Sequence, residues 1–501
     1  MKLENLLQHH FNYTAFRTGQ KEVISSILEG NHTIAMLPTG TGKSLCYQLS
    51  GYALSGQVII ISPLLSLMQD QAEQLMMNGE KRVIAFNSFL STEEKYRALS
   101  RLNKYKFIFL SPEMLRLEHV IKRLSDLDIA LFVIDEAHCI SQWGYDFRPD
   151  YLKLGEVREK IGNPLTLALT ATATREVKED IIASLSWGNW KEFIYSVDRP
   201  NISLTVETIN SFQEKKERLV ELVQTLNGSG IVYFSSKKMS EQIAEFLKES
   251  GVSNVAAYHG GMEQEARILI QQQFIQGQLD VICATSAFGM GINKDNIRYI
   301  IHFHMPLQIE SYLQEIGRAG RDGRKSLAIL LYSPGDEQLP YQLAEGELPT
   351  VEQIDWLFKW LGDNQHALTK LPAFEEEIRR ISGLTDIQWR ITHDLLEGVT
   401  VDQLEQSSSG IKSFIKERIG VKRKKINEMF RWTQLSECRR KNILKYFRED
   451  KTIEIEDCCD LCGVNYSIFY SSTDKEEKTK IEFSFSWEDH LGEILLSRRM
   501  K

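Results

Sequence analysis

Ten short apolar runs, mostly β-branched, recur between residues 33 and 335: TIAML, VIIIS, FIFLS, LFVID and TLALT, then IVYFS, VAAYH, VICAT, YIIHF and AILLY. Their near-continuous hydrophobicity predicts strands buried on both faces of parallel sheets, with the amphipathic stretches between them as covering helices. Ten such strands are many for one sheet. The segment SVDRPNISLTVE, residues 196 to 207, carries a DRPN turn signal and separates two groups of five. The pattern therefore predicts two α/β domains joined there.

After Pro340 the strand pattern stops. TVEQIDWLFKWL, residues 350 to 361, has helical apolar spacing, and EEEIRRISGLTDIQWRITHDLLE contains two helical runs broken at Ser382 and Gly383. Thr385 is placed to cap the second run. With Val399 and Val401 as a short wing this is a winged-helix pattern, and a plain helical hairpin produces it equally well. A basic helix, a cysteine cluster, the polar stretch SSTDKEEKTK and a short tail follow. The expected divisions are 1–200 and 201–340 for the two α/β domains, 345–410 for the helical segment, 411–465 for the basic helix and cysteines, and 466–501 for linker and tail.

At 501 residues the chain exceeds the size of a single hydrophobic core. No stretch approaches the ~20 consecutive apolar residues that span a bilayer, and MKLENLLQHH lacks the features of a signal peptide, so the expected location is the cytoplasm, with no membrane partner. The net charge of -8 argues mildly against general adhesion to nucleic acid, but residues 411 to 450 hold 13 basic and 5 acidic side chains. Cys46, Cys139 and Cys283 are scattered, whereas Cys438, Cys458, Cys459 and Cys462 crowd near the end. The scatter suggests a reducing compartment and the cluster suggests a metal.

PTGTGKS (Pro38, Thr39, Gly40, Thr41, Gly42, Lys43, Ser44) follows the strand TIAML and opens a helical run. There the glycines let backbone N–H groups approach a triphosphate, Lys43 offers an ammonium to its β/γ oxygens, and the Ser44 hydroxyl can ligate magnesium. Leu37 stands where the strict pattern has Gly, a variant found in helicase-like ATPases. LFVIDEAH ends a strand in Asp135 and Glu136. One carboxylate suits the magnesium ion and the other suits accepting a proton from attacking water. In ESYLQEIGRAGRDG, Arg318 and Arg321 are three apart, so on a helix they share a face from which both could reach a phosphoryl group across an interdomain cleft.

These and further motifs resemble RecQ-type DNA helicases of superfamily two: YTAFRTGQ, LPTGTGKSLCYQ, SPLLSLMQDQ, SPEML, DEAHCISQWGYDFRPDY, LTATAT, YHGGM, ATSAFGMGINK, SYLQEIGRAGRDG and CRRKNILKYF, in that order. The resemblance covers residues 10 to 335 densely and resumes at the cysteines. It implies two RecA-like domains in tandem, followed by a small helical segment and a zinc-binding helical module. It implies that Tyr13, Arg17 and Gln20 recognise adenine, that Lys43 and Ser44 hold the phosphates and magnesium, and that Asp135 and Glu136 serve metal and water. It places Arg318 and Arg321 across the cleft, and His138, Trp143, Phe147 and Arg148 on the DNA side. Aromatic side chains there can stack on bases, worth ~1 to 3 kcal/mol each.

The four clustered cysteines match the number of thiolates in a closed structural zinc site. Glu456 stands where the family's CxxCDxC form has its first cysteine, so Cys458 substitutes. Only 39 residues follow Cys462, so the winged-helix and HRDC domains that relatives carry beyond the zinc module are not expected there. The activity implied is ATP-driven, 3′ to 5′ unwinding of DNA, with ATP, Mg2+ and Zn2+ as cofactors. The implied partners are single-stranded and duplex DNA, with a single-stranded-DNA-binding protein as a further candidate. An RNA-stimulated helicase or a DNA-binding ATPase switch would share the motor motifs.

Overall fold

The computed structural model describes residues 3–63, 65–87, 90–141, 149–288, 294–451 and 454–470. Seven parallel strands form the first sheet: β1 (His32–Met36), β2 (Gln57–Ile61), β3 (Val83–Phe86), β4 (Phe107–Leu110), β5 (Ile129–Ile134), β6 (Thr166–Thr170) and β7 (Trp190–Ile194), in the order β3-β4-β2-β5-β6-β1-β7. Successive residues feed opposite cores. Ile59 and Ile61 pack with Phe132 and Ile134 on one face, while Val58 and Ile60 pack with Leu131 and Val133 on the other. Both faces are therefore covered, which is why these strands read as unbroken apolar runs.

The second sheet contains β8 (Ile202–Thr208), β9 (Ser229–Tyr233), β10 (Val255–Tyr258), β11 (Val281–Ala284), β12 (Ile297–His302) and β13 (Ser326–Tyr332), all parallel, in the order β10-β11-β9-β12-β13-β8. All ten expected runs are strands. Two of the three unforeseen strands, β3 and β7, are edges of the first sheet. The third, β8, lies inside the segment read as the connection and pairs with β13 from Ile202↔Ser326 to Thr208↔Tyr332. β7 is largely exposed, and β8 alternates apolar Ile202 and Leu204 with polar Ser203 and Thr205, so these two carry a weaker apolar signal. The true connection shortens to residues 195–201.

Beyond β13 the described residues form helices as far as Tyr446, and the cysteine segment that follows is largely turns. Gly383 adopts the left-handed conformation (φ 69°) that ends the helix Glu375–Ser382, and Thr385 caps the helix Asp386–Leu396 with Gln388 returning the bond, as the spacing predicts. Of the two readings, winged helix or helical hairpin, the wing is not formed. Val401 lies in a short 3-10 turn that runs, through Thr400 capping against Gln403, directly into the 30-residue helix Leu404–Thr433. That helix crosses the expected division at 410. Its first half (Ile411, Ile415) packs with Ile354, Leu357 and Trp389, and its second half (Ile426, Met429, Trp432) packs into the core of the second sheet. Several of its basic side chains are already paired: Lys422 with Glu347, Arg423 with Glu345 and Lys425 with the buried Glu310. The positive charge of residues 411 to 450 is thus partly neutralised within the protein.

The helical segment also touches the first domain. Arg116 is clasped between Asp150 and Asp394, the latter at 2.8 Å, and Lys153 meets Glu397 at 2.7 Å. Both aspartates are largely buried, so removing the cation leaves two carboxylates facing each other away from water. Arg116→Ala is expected to lower unfolding stability by about 1–3 kcal/mol, read as a shift in denaturant midpoint. Arg116→Ala combined with Asp394→Ala should cost less than the two separate losses added together.

Candidate nucleotide cleft and metal centre

The helix Ser44–Ala53 begins where the loop after β1 ends, so its N-terminal N–H groups and positive dipole face the loop's concavity. Asp135 and Glu136 follow β5 directly. The Asp135 N–H donates to Ile61 O at 2.8 Å, which seats the acidic pair two strands from the loop. Glu136 is held at φ 48°, ψ 50°, a left-handed conformation costing a non-glycine residue on the order of 1–3 kcal/mol. Strain of this kind persists where surrounding structure fixes a side chain's direction.

One cavity of about 500 Å³ gathers these residues with others from the second domain. Its lining includes Tyr13, Arg17, Gln20, Thr39, Gly40, Gly42, Lys43, Ser44, Asp135 and Glu136, and across the cleft Asp295, Gln314, Arg318 and Arg321. Tyr13 is 53% exposed at the rim. Gln20 is buried, and its Nε2 donates to the carbonyls of Thr41 (2.7 Å) and Gly42 (3.0 Å), while Arg17 donates to Gly40 O at 2.7 Å. The expected adenine readers therefore also brace the phosphate loop.

Arg318 and Arg321 reach the cavity, but not from a helix face. The helix Ile309–Ile316 ends before them, and they sit in a glycine-bounded turn in which Gly320 takes φ 55°. Gly317 in this turn lies so close to the loop that an added Cβ would stand 2.8 Å from Thr39 Cβ. Arg318 is buried with its Nε lacking any hydrogen-bond partner. Burial, then the charge of Arg318, pushes Arg321 down to about 10. Like charges held together in a desolvated cleft favour a polyanionic ligand, so the residues present fit a nucleoside triphosphate. Burial and then the Glu136 carboxylate push Asp135 up to about 7. Together with the Ser44 hydroxyl it forms an oxygen donor set of the type magnesium takes.

His138, expected on the DNA side, is fully buried instead. Its Nδ1 lies 3.0 Å from Thr170 Oγ1 and 3.4 Å from Glu136 Oε2, linking the acidic pair to the end of β6. A side chain so enclosed cannot stack on or pair with a base. Trp143, Phe147 and Arg148 lie outside the described residues. Residues bounding that segment are tied to the acidic pair: Tyr151 OH donates to Asp135 O at 3.2 Å, and Ser141 follows directly on the turn carrying His138.

Three family models match the chain: DEAD/DEAH box helicase over residues 17–180, helicase conserved C-terminal domain over 214–323, and RecQ zinc-binding over 401–463. The chain is 44% identical to the probable ATP-dependent DNA helicase RecS of Bacillus subtilis (strain 168), with 98% of each chain covered. The chain belongs to the RecQ family of helicases. It is 42% identical over 66% of its length to the ATP-dependent DNA helicase RecQ of Haemophilus influenzae, spanning 53% of that protein. The solved structure of Mycobacterium smegmatis helicase Lhr bound to single-stranded DNA and AMP-PNP shares the fold, with a TM-score of 0.56 at 21% identity over 78% of this chain and 57% of that one.

In this RecQ-family chain the cleft also contains residues that sequence reading passed over. Asp295 sits 3.9 Å from Arg17, and Gln314 lies in the last turn of the helix Ile309–Ile316. Arg199, in the DRPN segment, gave only a turn signal, yet it contacts both domains.

The four clustered cysteines converge, with all sulfurs within 4.8 Å of one another. Cys438 Sγ and Cys458 Sγ are 3.7 Å apart. A tetrahedron with zinc–sulfur bonds of ~2.3 Å has edges of ~3.8 Å, so the set fits zinc, with Cys458 included. The cysteine segment is stitched to the edge of the second sheet: Leu204 N–H donates to Cys458 O (3.2 Å) and Asp460 N–H to Leu204 O (3.0 Å). Asp460 is in turn gripped by Arg439 through two bonds of 2.6 and 2.8 Å. Purified protein is expected to carry one zinc per chain by elemental analysis. Cys458→Ser and Cys462→Ser should each lower that content and the melting temperature. Full zinc retention in Cys458→Ser would reduce the site to three cysteines.

Proposed function

We propose that this RecQ-family chain is an ATP-driven motor that moves 3′ to 5′ on single-stranded DNA and separates duplex DNA, in recombination, repair or replication-fork maintenance. It works in the cytoplasm, on chromosomal DNA. The observation that carries the reading is the single cleft in which the phosphate loop and acidic pair of one domain face two arginines of the other. A binding switch needs the first half of that set; hydrolysis needs both. The names of its relatives, the probable ATP-dependent DNA helicase RecS and the ATP-dependent DNA helicase RecQ, point the same way.

In this mechanism Lys43 and the N-terminus of the helix Ser44–Ala53 hold the β/γ phosphates, and Tyr13, Arg17 and Gln20 hold the base. Ser44 and Asp135 would hold a magnesium ion, which would supply neutralisation of phosphate charge. Glu136, its direction fixed by a strained backbone beside His138, accepts a proton from the attacking water. Arg318 and Arg321 stabilise charge that develops on the γ-phosphoryl group. After hydrolysis the attraction between that charge and the arginines falls, and the cleft opens. Trp143, Phe147 and Arg148 contact single-stranded DNA, and their tethering through Tyr151 to the Asp135 backbone couples DNA contact to catalysis.

Strand release from duplexes bearing a 3′ tail, a 5′ tail or none tests the proposal. Release is expected from the 3′-tailed duplex alone, and Lys43→Ala should cut hydrolysis by about a hundredfold or more. Phe147→Ala should keep basal hydrolysis and lose its stimulation by DNA. Equal stimulation in wild type and Phe147→Ala would remove Phe147 from the mechanism, and stronger stimulation by RNA than by DNA would change the substrate class.

A further inference from the structure

Arg199 lies in the short connection between the two sheets, and its guanidinium is spent entirely on backbone carbonyls. Nη1 donates to Thr39 O in the phosphate loop and to Gly317 O in the arginine-bearing turn, both at 2.8 Å. Nη2 donates to Ala319 O at 2.9 Å and Gly320 O at 2.8 Å. One planar group thus joins the loop of the first domain to the turn of the second. The connection itself is anchored from the zinc module: Arg440 pairs with Asp198 and donates to Arg199 O at 3.0 Å, while Asn201 Nδ2 donates to Gly320 O at 2.8 Å.

This arrangement is costly without a purpose. Burial, then the charge of Arg17, pushes Arg199 down to about 10, with Asp198 and Asp322 offsetting part of the effect. A half-buried cation satisfied by carbonyls rather than by carboxylates is retained where its geometry matters. Lysine could not replace it, because a point charge with three donors has neither the reach nor the planar fork to bridge four carbonyls. The glycines at the contact leave no slack: Cβ atoms added at Gly317 and Gly40 would lie 2.8 Å from Thr39 Cβ and 3.1 Å from Arg199 Nη1.

We propose that Arg199 is a positioning residue for ATP hydrolysis, a clip that registers the turn carrying Arg318 and Arg321 against the phosphate loop when the cleft is closed. The inference rests on reading the cleft as an ATPase site. It separates two quantities. Nucleotide affinity comes mainly from the first domain and survives loss of the clip, whereas turnover requires the arginines within ångström tolerance of the phosphoryl group.

The test compares wild type, Lys43→Ala, Arg199→Gln, Arg199→Lys and Gly317→Ala. It measures saturating DNA-stimulated kcat, the Kd of a fluorescent ATP analogue, melting temperature, and contraction on binding a non-hydrolysable analogue by small-angle scattering. Arg199→Gln is expected to lower kcat by about tenfold or more while the analogue Kd stays within about threefold, and to lose the contraction. Arg199→Lys should recover only part of kcat. Gly317→Ala, which forces the same two segments apart by an independent route, should show the same split between kcat and Kd. A wild-type kcat in Arg199→Gln, or loss of affinity and melting temperature in step with kcat, would overturn the clip and leave the ATPase reading intact. Absence of hydrolysis in the wild type would overturn both.

Discussion

Charge developing on a transferring phosphoryl group must be met from more than one side, and this chain holds the groups that can meet it on two sheets joined by residues 195–201. Everything else in the architecture serves that meeting. The ends of β1 and β5 bring the phosphate loop beside Asp135 and Glu136, and the turn after the helix Ile309–Ile316 brings Arg318 and Arg321 to the same cavity. Arg17 lies there too, and Arg321 is pushed down to about 10, first by burial. Closing the cleft without a polyanion is therefore opposed by repulsion among cations. A triphosphate relieves the repulsion, so part of its binding energy goes into closure rather than affinity, which is the condition for raising turnover.

The sequence was legible where a single short segment decides the outcome. Buried parallel strands read as apolar runs because neither face needs polar residues. The phosphate loop is set by glycines and Ser44 in a strand–loop–helix context, and the end of one helix and start of the next by Gly383 and Thr385. It was illegible where a distant partner decides. β8 hid inside a turn signal because its pairing partner lies more than a hundred residues away. Three-residue spacing suggested a shared helix face for Arg318 and Arg321, but the glycines that permit contact with Thr39 also end the helix, and the turn delivers both to the cleft by another route. His138 follows two acidic residues and precedes an aromatic stretch, and nothing local says that Thr170 will enclose it.

The C-terminal part adds a mechanical argument. The helix Leu404–Thr433 belongs to two cores at once, so the helical segment and the second domain are fastened by apolar burial around Ile411 and Ile415 at one end and Ile426, Met429 and Trp432 at the other. Separating them would expose all of these side chains, at about 1.5–3 kcal/mol for each fully buried one. Contacts of the same segment with the first domain are of a different kind: the Arg116–Asp394 pair and a half-exposed Lys153–Glu397 pair. Exposed pairs contribute about 0–1 kcal/mol, and even the less exposed Arg116–Asp394 contact can be exchanged for water as it parts. When the cleft opens, the apolar fastening holds and the ionic contacts yield. In the proposed motor the helical segment therefore travels with the second domain, and its position relative to Ser141 and Tyr151 changes as the cleft opens. On that proposal, motion generated at the phosphates is delivered to the face where the first domain and the helical segment meet.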